Sequence, residues 1–155
     1  MALRPIKCMT FALLACCAGL SPSTAAEPIR VGAVLPFSGG VELYGQQAKL
    51  GLDLAAKDIN AAGGILGRSV EVIYADDKTR PASAVTAVHE LIERDGVVAV
   101  VGPITSQNLN AIAPVASNLK TPLLYATNFE GGKCDRYVFS SARSRTRTSA
   151  NCCPT

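Results

Sequence analysis

The feature that most constrains the fold is the unbroken apolar run Val-Val-Ala-Val-Val at residues 97–101. A run this short and this rich in β-branched residues is typical of a central parallel strand that helices cover on both faces. Further strand-like runs lie at about 30–35, 69–75 and 123–126, and residues 137–139 could begin a fifth. The chain therefore contains the strands of one sheet.

Helix-like segments separate these strands. Small and apolar residues recur every three or four positions at about 44–62, before Gly63-Gly64, as Ala48, Leu52, Ala55, Ile59 and Ala62. A second helix is predicted at about 81–94. A third begins near Ser106, and we expect Pro114 to kink or shorten it. This alternation predicts an α/β fold with a doubly wound parallel sheet of order 2-1-3-4-5, in which the alternating second strand forms an edge.

Ligands of such sheets bind beyond the carboxyl ends of the strands. Three segments lie there, at 36–45, 102–107 and 125–130, and they offer hydroxyls, backbone amides and the aromatic rings of Tyr44 and Tyr125. Gly102–Ser106 joins a strand to a helix N-terminus, where free N–H groups suit a carboxylate or a polarised carbonyl oxygen. On this segment alone, a role of Thr105 or Ser106 as a simple helix cap is an equal alternative.

The sequence offers no candidate catalytic or cofactor-binding residues at these strand ends. The one histidine, His89, lies in the second helix, where a surface position is the better interpretation. No phosphate-binding glycine motif occurs. Asp76-Asp77 has no third ligand nearby, so we interpret it as a solvated loop or a charged strand end and not as a metal site. We expect no enzyme activity, no cofactor and no metal.

The charge balance argues against nucleic acid as a partner. The net charge of +3 depends on basic residues at the two ends, and without them 10 basic residues face 12 acidic ones. Those end residues are Arg4, Lys7, Arg143, Arg145 and Arg147.

The N-terminus predicts export. A short basic region, an apolar run at 8–20 and Thr24-Ala25-Ala26 match a signal peptide that covers residues 1–26. A buried N-terminal helix is the structural alternative. Leu13-Leu14-Ala15-Cys16 also resembles a lipobox, in which Cys16 would be lipidated and retained. Both forms of export place the protein in the periplasm.

The C-terminal segment differs from the rest of the chain. Residues 140–155 contain no Val, Ile, Leu, Met or aromatic side chain, so we predict a disordered tail there. A basic interaction tail is one interpretation, and a non-native end of the chain is the one we favour. In an oxidising compartment Cys134, the one cysteine of residues 27–139, would need a partner.

Four stretches follow one another along the chain, at 29–39 (IRVGAVLPFSG), 58–68 (DINAAGGILGR), 101–106 (VGPITS) and 124–132 (LYATNFEGG). Together they resemble the periplasmic solute-binding proteins of branched-chain amino acid, amide and urea ABC transporters. The resemblance runs from about residue 28 to 139. It implies that residues 27–139 form the N-terminal lobe of a two-lobed receptor, which closes on a solute and delivers it to a membrane permease.

The resemblance also implies a ligand site. Ser106, Tyr125 and Thr127 match the spacing of the amide and urea branch and would contact the solute. Thr105 lies beside Ser106, and Tyr44 would shape the pocket. The tyrosine that the branch usually has before Glu-Gly is Phe129 here, a mild departure.

We expect a transport receptor for a small amide, urea or branched-chain amino acid. A sensory module of the same fold and an inert fragment are the alternatives. A single lobe leaves its ligand half exposed, so we expect this chain to bind its ligand weakly or not at all.

Overall fold

The computed structural model describes residues 26–127 and 135–140. It contains five strands and three helices in strict alternation up to the last strand. They are β1 (Ile29–Leu35), α1 (Glu42–Ala61), β2 (Val70–Asp76), α2 (Pro81–His89), β3 (Ala99–Val101), α3 (Ser106–Asn118), β4 (Leu123–Tyr125) and β5 (Val138–Ser140); a π-helical turn, Glu90–Arg94, continues α2.

All the strands lie in one parallel sheet with the order β2-β1-β3-β4-β5, which confirms the predicted fold class and strand order. β1 and β2 pair from Ile29↔Val70 to Leu35↔Asp76. β3 pairs with β1 through only three residues, from Ala99 to Val101. The carboxyl ends of the strands therefore meet at one edge, which holds the segments that follow Leu35, Asp76, Val101 and Tyr125.

Two element boundaries differ from prediction. β3 begins at Ala99, because Val98 turns outward while Val97 packs in the core. Pro114 does not end α3, which continues to Asn118. Pro114 and Asn110 both lie on the exposed side of the helix, so water can reach the Asn110 carbonyl that Pro114 leaves without a donor.

The core lies on one face of the sheet, beneath α2, the π-helical turn and α3. The side chains that fill it are apolar and almost fully buried, and include Val34, Val88, Leu91, Val100, Leu109, Ile112 and Leu123. Gly32 belongs to this face, since a Cβ added there would lie 3.0 Å from Leu91 Cδ1. Helices α2 and α3 also pack on each other. The helices predicted at 81–94 and from Ser106 onward thus both bury an apolar face on this side.

On the opposite face, α1 packs on β1 and β2. The side chains that β4 and β5 project there, Leu124 and Phe139, are 41% and 52% exposed. The apolar face predicted for α1 is only partly buried. Ala48 and Leu52 are half-buried, whereas Ala55, Ile59 and Ala62 are exposed. A hollow of about 320 Å³ lies between Ala48, Gly51 and Leu52 of α1 and the ends of β3 and β4.

A polar contact attaches α1 to the edge strand β2. The Tyr74 hydroxyl donates to the Asp53 carboxylate at 2.6 Å. The Lys49 ammonium lies 4.6 Å from the centre of the Tyr74 ring and pairs with Asp53. Burial and the adjacent Asp53 raise the pKa of Tyr74, so the phenol remains a donor at neutral pH.

Several sequence predictions lie outside the described residues. They concern the signal peptide up to residue 25, lipidation of Cys16, Phe129, the partner of Cys134, and residues 141–155 of the tail. Within the described part of the chain, no helix combines the length and the apolar character that a membrane span requires.

Candidate functional site

Three of the residues predicted to bind a ligand meet at the carboxyl edge of the sheet. The Tyr125 hydroxyl donates to the Ile104 carbonyl oxygen at 3.3 Å, and the Thr127 hydroxyl donates to the same oxygen at 3.0 Å. The Ser106 and Tyr125 hydroxyls lie 3.2 Å apart. One carbonyl of the loop after β3 therefore connects that loop to the end of β4.

Tyr125 differs from its neighbours in exposure. Its side chain is 1% exposed and belongs to the hydrophobic core, whereas Ser106 and Thr127 are half-buried. Tyr125 thus holds the loop from beneath, and Ser106 and Thr127 are the hydroxyls that a solute could reach. Tyr125 was expected to contact the solute, and in the structure its hydroxyl bonds to the loop after β3.

Thr105 is the N-cap of α3. Its backbone is extended, and its side-chain oxygen accepts a hydrogen bond from the Asn108 N–H at 3.4 Å. The cap thus supports the first helical turn. Ser106 is the first helical residue, and no acidic residue lies in the first turn of α3. The positive end of the dipole of this helix therefore favours an anion.

Tyr44 lies in the first turn of α1, and its side chain is 62% exposed. Its backbone N–H donates to the Val41 carbonyl at 3.1 Å, which helps to start the helix. The ring is thus available to a partner or a ligand from the solvent side.

Asp76, which the sequence interpretation left as a charged strand end, organises the loop after β1. Its carboxylate accepts the Phe37 N–H at 2.8 Å, the Ser38 hydroxyl at 2.7 Å and the Lys78 N–H at 2.9 Å. Partial burial by itself would raise the pKa of Asp76, but the hydrogen bonds from Ser38, Lys78 and Phe37 outweigh burial and lower that pKa. Leu35 and Asp76 pair at the ends of the parallel strands β1 and β2. This pairing is the feature from which the contact between Asp76 and the loop after β1 could have been predicted.

We expect Asp76→Asn to lower the free energy of unfolding at pH 7 by about 1–3 kcal/mol, because charged acceptors form the stronger hydrogen bonds. The contribution of a carboxylate with a lowered folded pKa is present above its unfolded pKa of about 3.9 and is lost as the pH falls through the folded value. Urea unfolding at pH 7 and pH 3 should therefore show a difference between variant and wild type that shrinks in acid. Asp58→Asn, at an exposed position of α1, is the control. An equal loss in both variants would contradict the assignment.

Asp77 corrects a prediction. It was expected in a solvated loop, but it is buried, because its backbone N–H pairs with the Leu35 carbonyl and draws the residue beneath the sheet edge. One carboxylate oxygen accepts the Thr79 N–H at 2.8 Å. The other oxygen, like the side-chain amide of the buried Asn108, has no hydrogen-bond partner among residues 26–127 and 135–140. Among the described residues no three acidic, histidine or cysteine side chains form a metal-binding group.

His89 lies at the end of α2, away from this edge of the sheet. Its side chain is partly exposed and its Nδ1 lies 3.6 Å from the Glu93 carboxylate. The interpretation of His89 as a surface residue is confirmed.

Comparison with known proteins identifies the family. The family model described as periplasmic binding protein matches residues 28–152, which is most of the chain. The chain belongs to the periplasmic binding protein family. The match extends past residue 139, where we predicted the end of the lobe.

Two curated relatives illustrate the similarity. The Leu/Ile/Val-binding protein BraC3 of Rhizobium johnstonii is 40% identical over 101 residues, which cover 65% of this chain and 27% of that protein. The Leu/Ile/Val-binding protein of Escherichia coli K12 is 38% identical over 99 residues, or 63% of this chain and 27% of the relative. This periplasmic binding protein sequence thus spans about a quarter of the length of its relatives.

Solved structures of solute-binding proteins are also similar to this chain. The branched-chain amino acid transporter substrate-binding protein LivJ of Streptococcus pneumoniae, solved with isoleucine, has a TM-score of 0.71 and 34% identity over 76% of this chain and 34% of its own. A solute-binding protein of an ABC transporter from Rhodopseudomonas palustris, solved with 3,4-dihydroxybenzoic acid, has a TM-score of 0.64 and 25% identity over 74% of this chain and 31% of its own.

These comparisons confirm the predicted resemblance to the leucine-binding family and its fold. They also confirm that the family consists of solute-binding proteins and not of enzymes, as expected from strand ends that lack an acid–base pair.

Proposed function

We propose that the chain forms the N-terminal lobe of an exported solute receptor of an ABC transporter, and that it binds a branched-chain amino acid by its carboxylate. The supporting observation is the cluster in which Ser106 and Thr127 lie beside the N-terminus of α3, whose first turn contains no acidic residue. The relatives named for leucine, isoleucine and valine support the choice of solute.

The hydrogen bonds of the cluster favour an anion. A carbonyl oxygen that pointed into the site would repel a carboxylate, but the Ile104 carbonyl already accepts from Tyr125 and Thr127. The backbone N–H groups at the start of α3 then lie at the positive end of the helix dipole, where they favour an anionic head group. The site would bind the carboxylate with neutral donors and need no basic side chain.

A small amide or urea is the second candidate solute. The Tyr125-x-Thr127 pattern and the adjacent Ser106 favour it, since the same donors can bind a polarised carbonyl oxygen. A neutral head group would gain less from the helix dipole than a carboxylate does. The two candidates therefore differ in how strongly the charge of the head group affects affinity.

The proposal includes export to the periplasm through residues 1–26 and delivery of the solute to a membrane permease. The basic region at Arg4 and Lys7 and the proposed cleavage site after Ala26 support export. Lipid attachment at Cys16 is the alternative form of export. Residues 141–155 remain proposed as a tail outside the lobe, whereas Ser140, where the tail was predicted to begin, belongs to β5.

A titration followed by amide NMR tests the site. We expect leucine and isoleucine to shift the backbone signals of residues 104–108 and of Thr127, with millimolar affinity, because water still reaches a ligand held by one lobe. Leucinamide, which lacks the negative charge, should bind more weakly than leucine. Acetamide and urea test the second candidate.

Ser106→Ala should abolish these shifts without unfolding the lobe, because it removes one half-buried hydroxyl. Ser83→Ala on α2 is the matched control and should respond like the wild type. Shifts that are absent from residues 104–108, or that persist unchanged in Ser106→Ala, would exclude this site as the place where the solute binds.

A further inference from the structure

One face of α1 has no role in the fold or in the proposed solute site. Leu43, Leu50 and Leu54 are 65%, 63% and 59% exposed. Their spacing of seven and four residues places them on one side of the helix, and we call them the leucine stripe. Single exposed leucines are common on protein surfaces, but three in one line form an apolar patch of the kind that marks an interaction site.

The leucine stripe is not the face that completes the lobe. The residues of α1 that approach the sheet are Gly45, Ala48 and Leu52, of which Gly45 is buried against the Pro36 carbonyl. At 3.6 residues per turn, these residues lie on the side of the helix opposite to the stripe. The stripe therefore faces away from the sheet of its own copy.

We propose that the leucine stripe is a homodimer contact, in which α1 of one copy packs antiparallel on α1 of a second copy. The stripe positions continue as 43, 47, 50, 54 and 57, which alternate in steps of four and three. An antiparallel two-fold pairing then places Leu43 of one copy against Leu54 of the other, and Leu50 against Gln47. The two sheets lie on opposite outer sides of the helix pair and do not collide.

The charges at the two ends of α1 support a second copy of the chain as the partner of the leucine stripe. The pairing brings Lys57, near the C-terminal end of the helix, within about one helical turn of Glu42 at the N-terminal end of the other copy. Lys57 forms no ion pair with another residue of the described ranges. Glu42 is charged at neutral pH, since hydrogen bonds from the backbone of Gly40 and from its own N–H lower its pKa. A two-fold axis repeats this pair, so one contact gives two complementary charge pairs.

A single pair of helices buries less than the roughly 1,200–2,000 Å² of a stable interface, so the dimer is expected to be weak. Sedimentation velocity of the whole chain from about 5 µM to 1 mM should show a reversible monomer–dimer equilibrium. Leu50→Gln should raise the dissociation constant at least about tenfold, because it removes a buried leucine from both copies. Leu66→Gln, at an exposed leucine outside the stripe, is the control and should change nothing.

Two further variants identify the surface and the orientation. Lys57→Glu should weaken the dimer, and the double variant Lys57→Glu with Glu42→Lys should recover part of the affinity. Phe139→Ser, on the open face of β5, should leave the dimer intact. A chain that is monomeric at every concentration would overturn the proposal. So would a dimer that Phe139→Ser abolishes and Leu50→Gln does not, since the sheet face would then be the contact.

Discussion

Replacement of Gly102 by alanine is expected to lower the free energy of unfolding by about 3–5 kcal/mol, which is enough to unfold many small domains. Gly102 follows β3 with a φ of 107°, a conformation that only glycine adopts readily. A Cβ at this position would lie 2.2 Å from the Val34 carbonyl oxygen, which belongs to the neighbouring strand β1. The Gly102 N–H also donates to Leu124 at 3.0 Å, so neither neighbouring strand can move away freely. Urea unfolding followed by circular dichroism measures the loss.

Gly51→Ala is the matched control for Gly102→Ala. Gly51 lies within α1, and an added Cβ would meet no atom within 4 Å. Alanine should therefore stabilise the helix by about 0.5–1 kcal/mol. If Gly102→Ala were as stable as the wild type, the close approach of the loop to β1 would be wrong, and with it the position of Ser106.

Tyr125→Ala is expected to cost about 3–5 kcal/mol, because it leaves a cavity where a fully buried ring packs in the core. Tyr125→Phe separates the hydroxyl from the ring. It should cost about 1–2 kcal/mol through the lost hydrogen bond to Ile104. It should also weaken the NMR response to leucine, because the Ile104 carbonyl and Ser106 each lose a partner. Unfolding curves and solute titrations of the same samples compare the two effects.

Tyr74→Phe provides the comparison for Tyr125→Phe. The Tyr74 hydroxyl donates to Asp53 at an exposed position on the far side of the sheet, so its removal should leave the solute response unchanged. A Tyr125→Phe variant that bound leucine like the wild type would show that the hydroxyl does not position the loop. The ring would then serve the core alone.

The fold was predictable from the sequence because its signals are local. The apolar run at 97–101 specified a central strand, and the alternation of strands with helices specified a parallel sheet. The order β2-β1-β3-β4-β5 followed from which strand is apolar throughout and which alternates. Ser106, Tyr125 and Thr127 meet at one edge for the same reason, since the parallel strands that precede them end there.

Burial and long-range hydrogen bonds were not predictable in this way. The periodicity of α1 does not show how far the sheet beneath it extends, so Ala55 and Ile59 were expected to be buried and are exposed. The sequence gives no sign that Asp77 is buried. Its burial accompanies the hydrogen bond from its backbone N–H to the Leu35 carbonyl, which only the structure reveals. The role of Asp76 depends on a contact with Ser38 across 38 residues of chain. These properties arise from packing between elements, which a single sequence does not specify.

The Ile104 carbonyl oxygen has a consequence for how the site responds to change. Tyr125 and Thr127 share this one acceptor, and Ser106 contacts the hydroxyl of Tyr125. Side chains from two different strand ends thus form one cooperative unit. In the proposed site, their contributions to solute affinity would not be separable, since a substitution at either strand end changes the environment of the other. Selection for a different solute would therefore act on the three residues as a set.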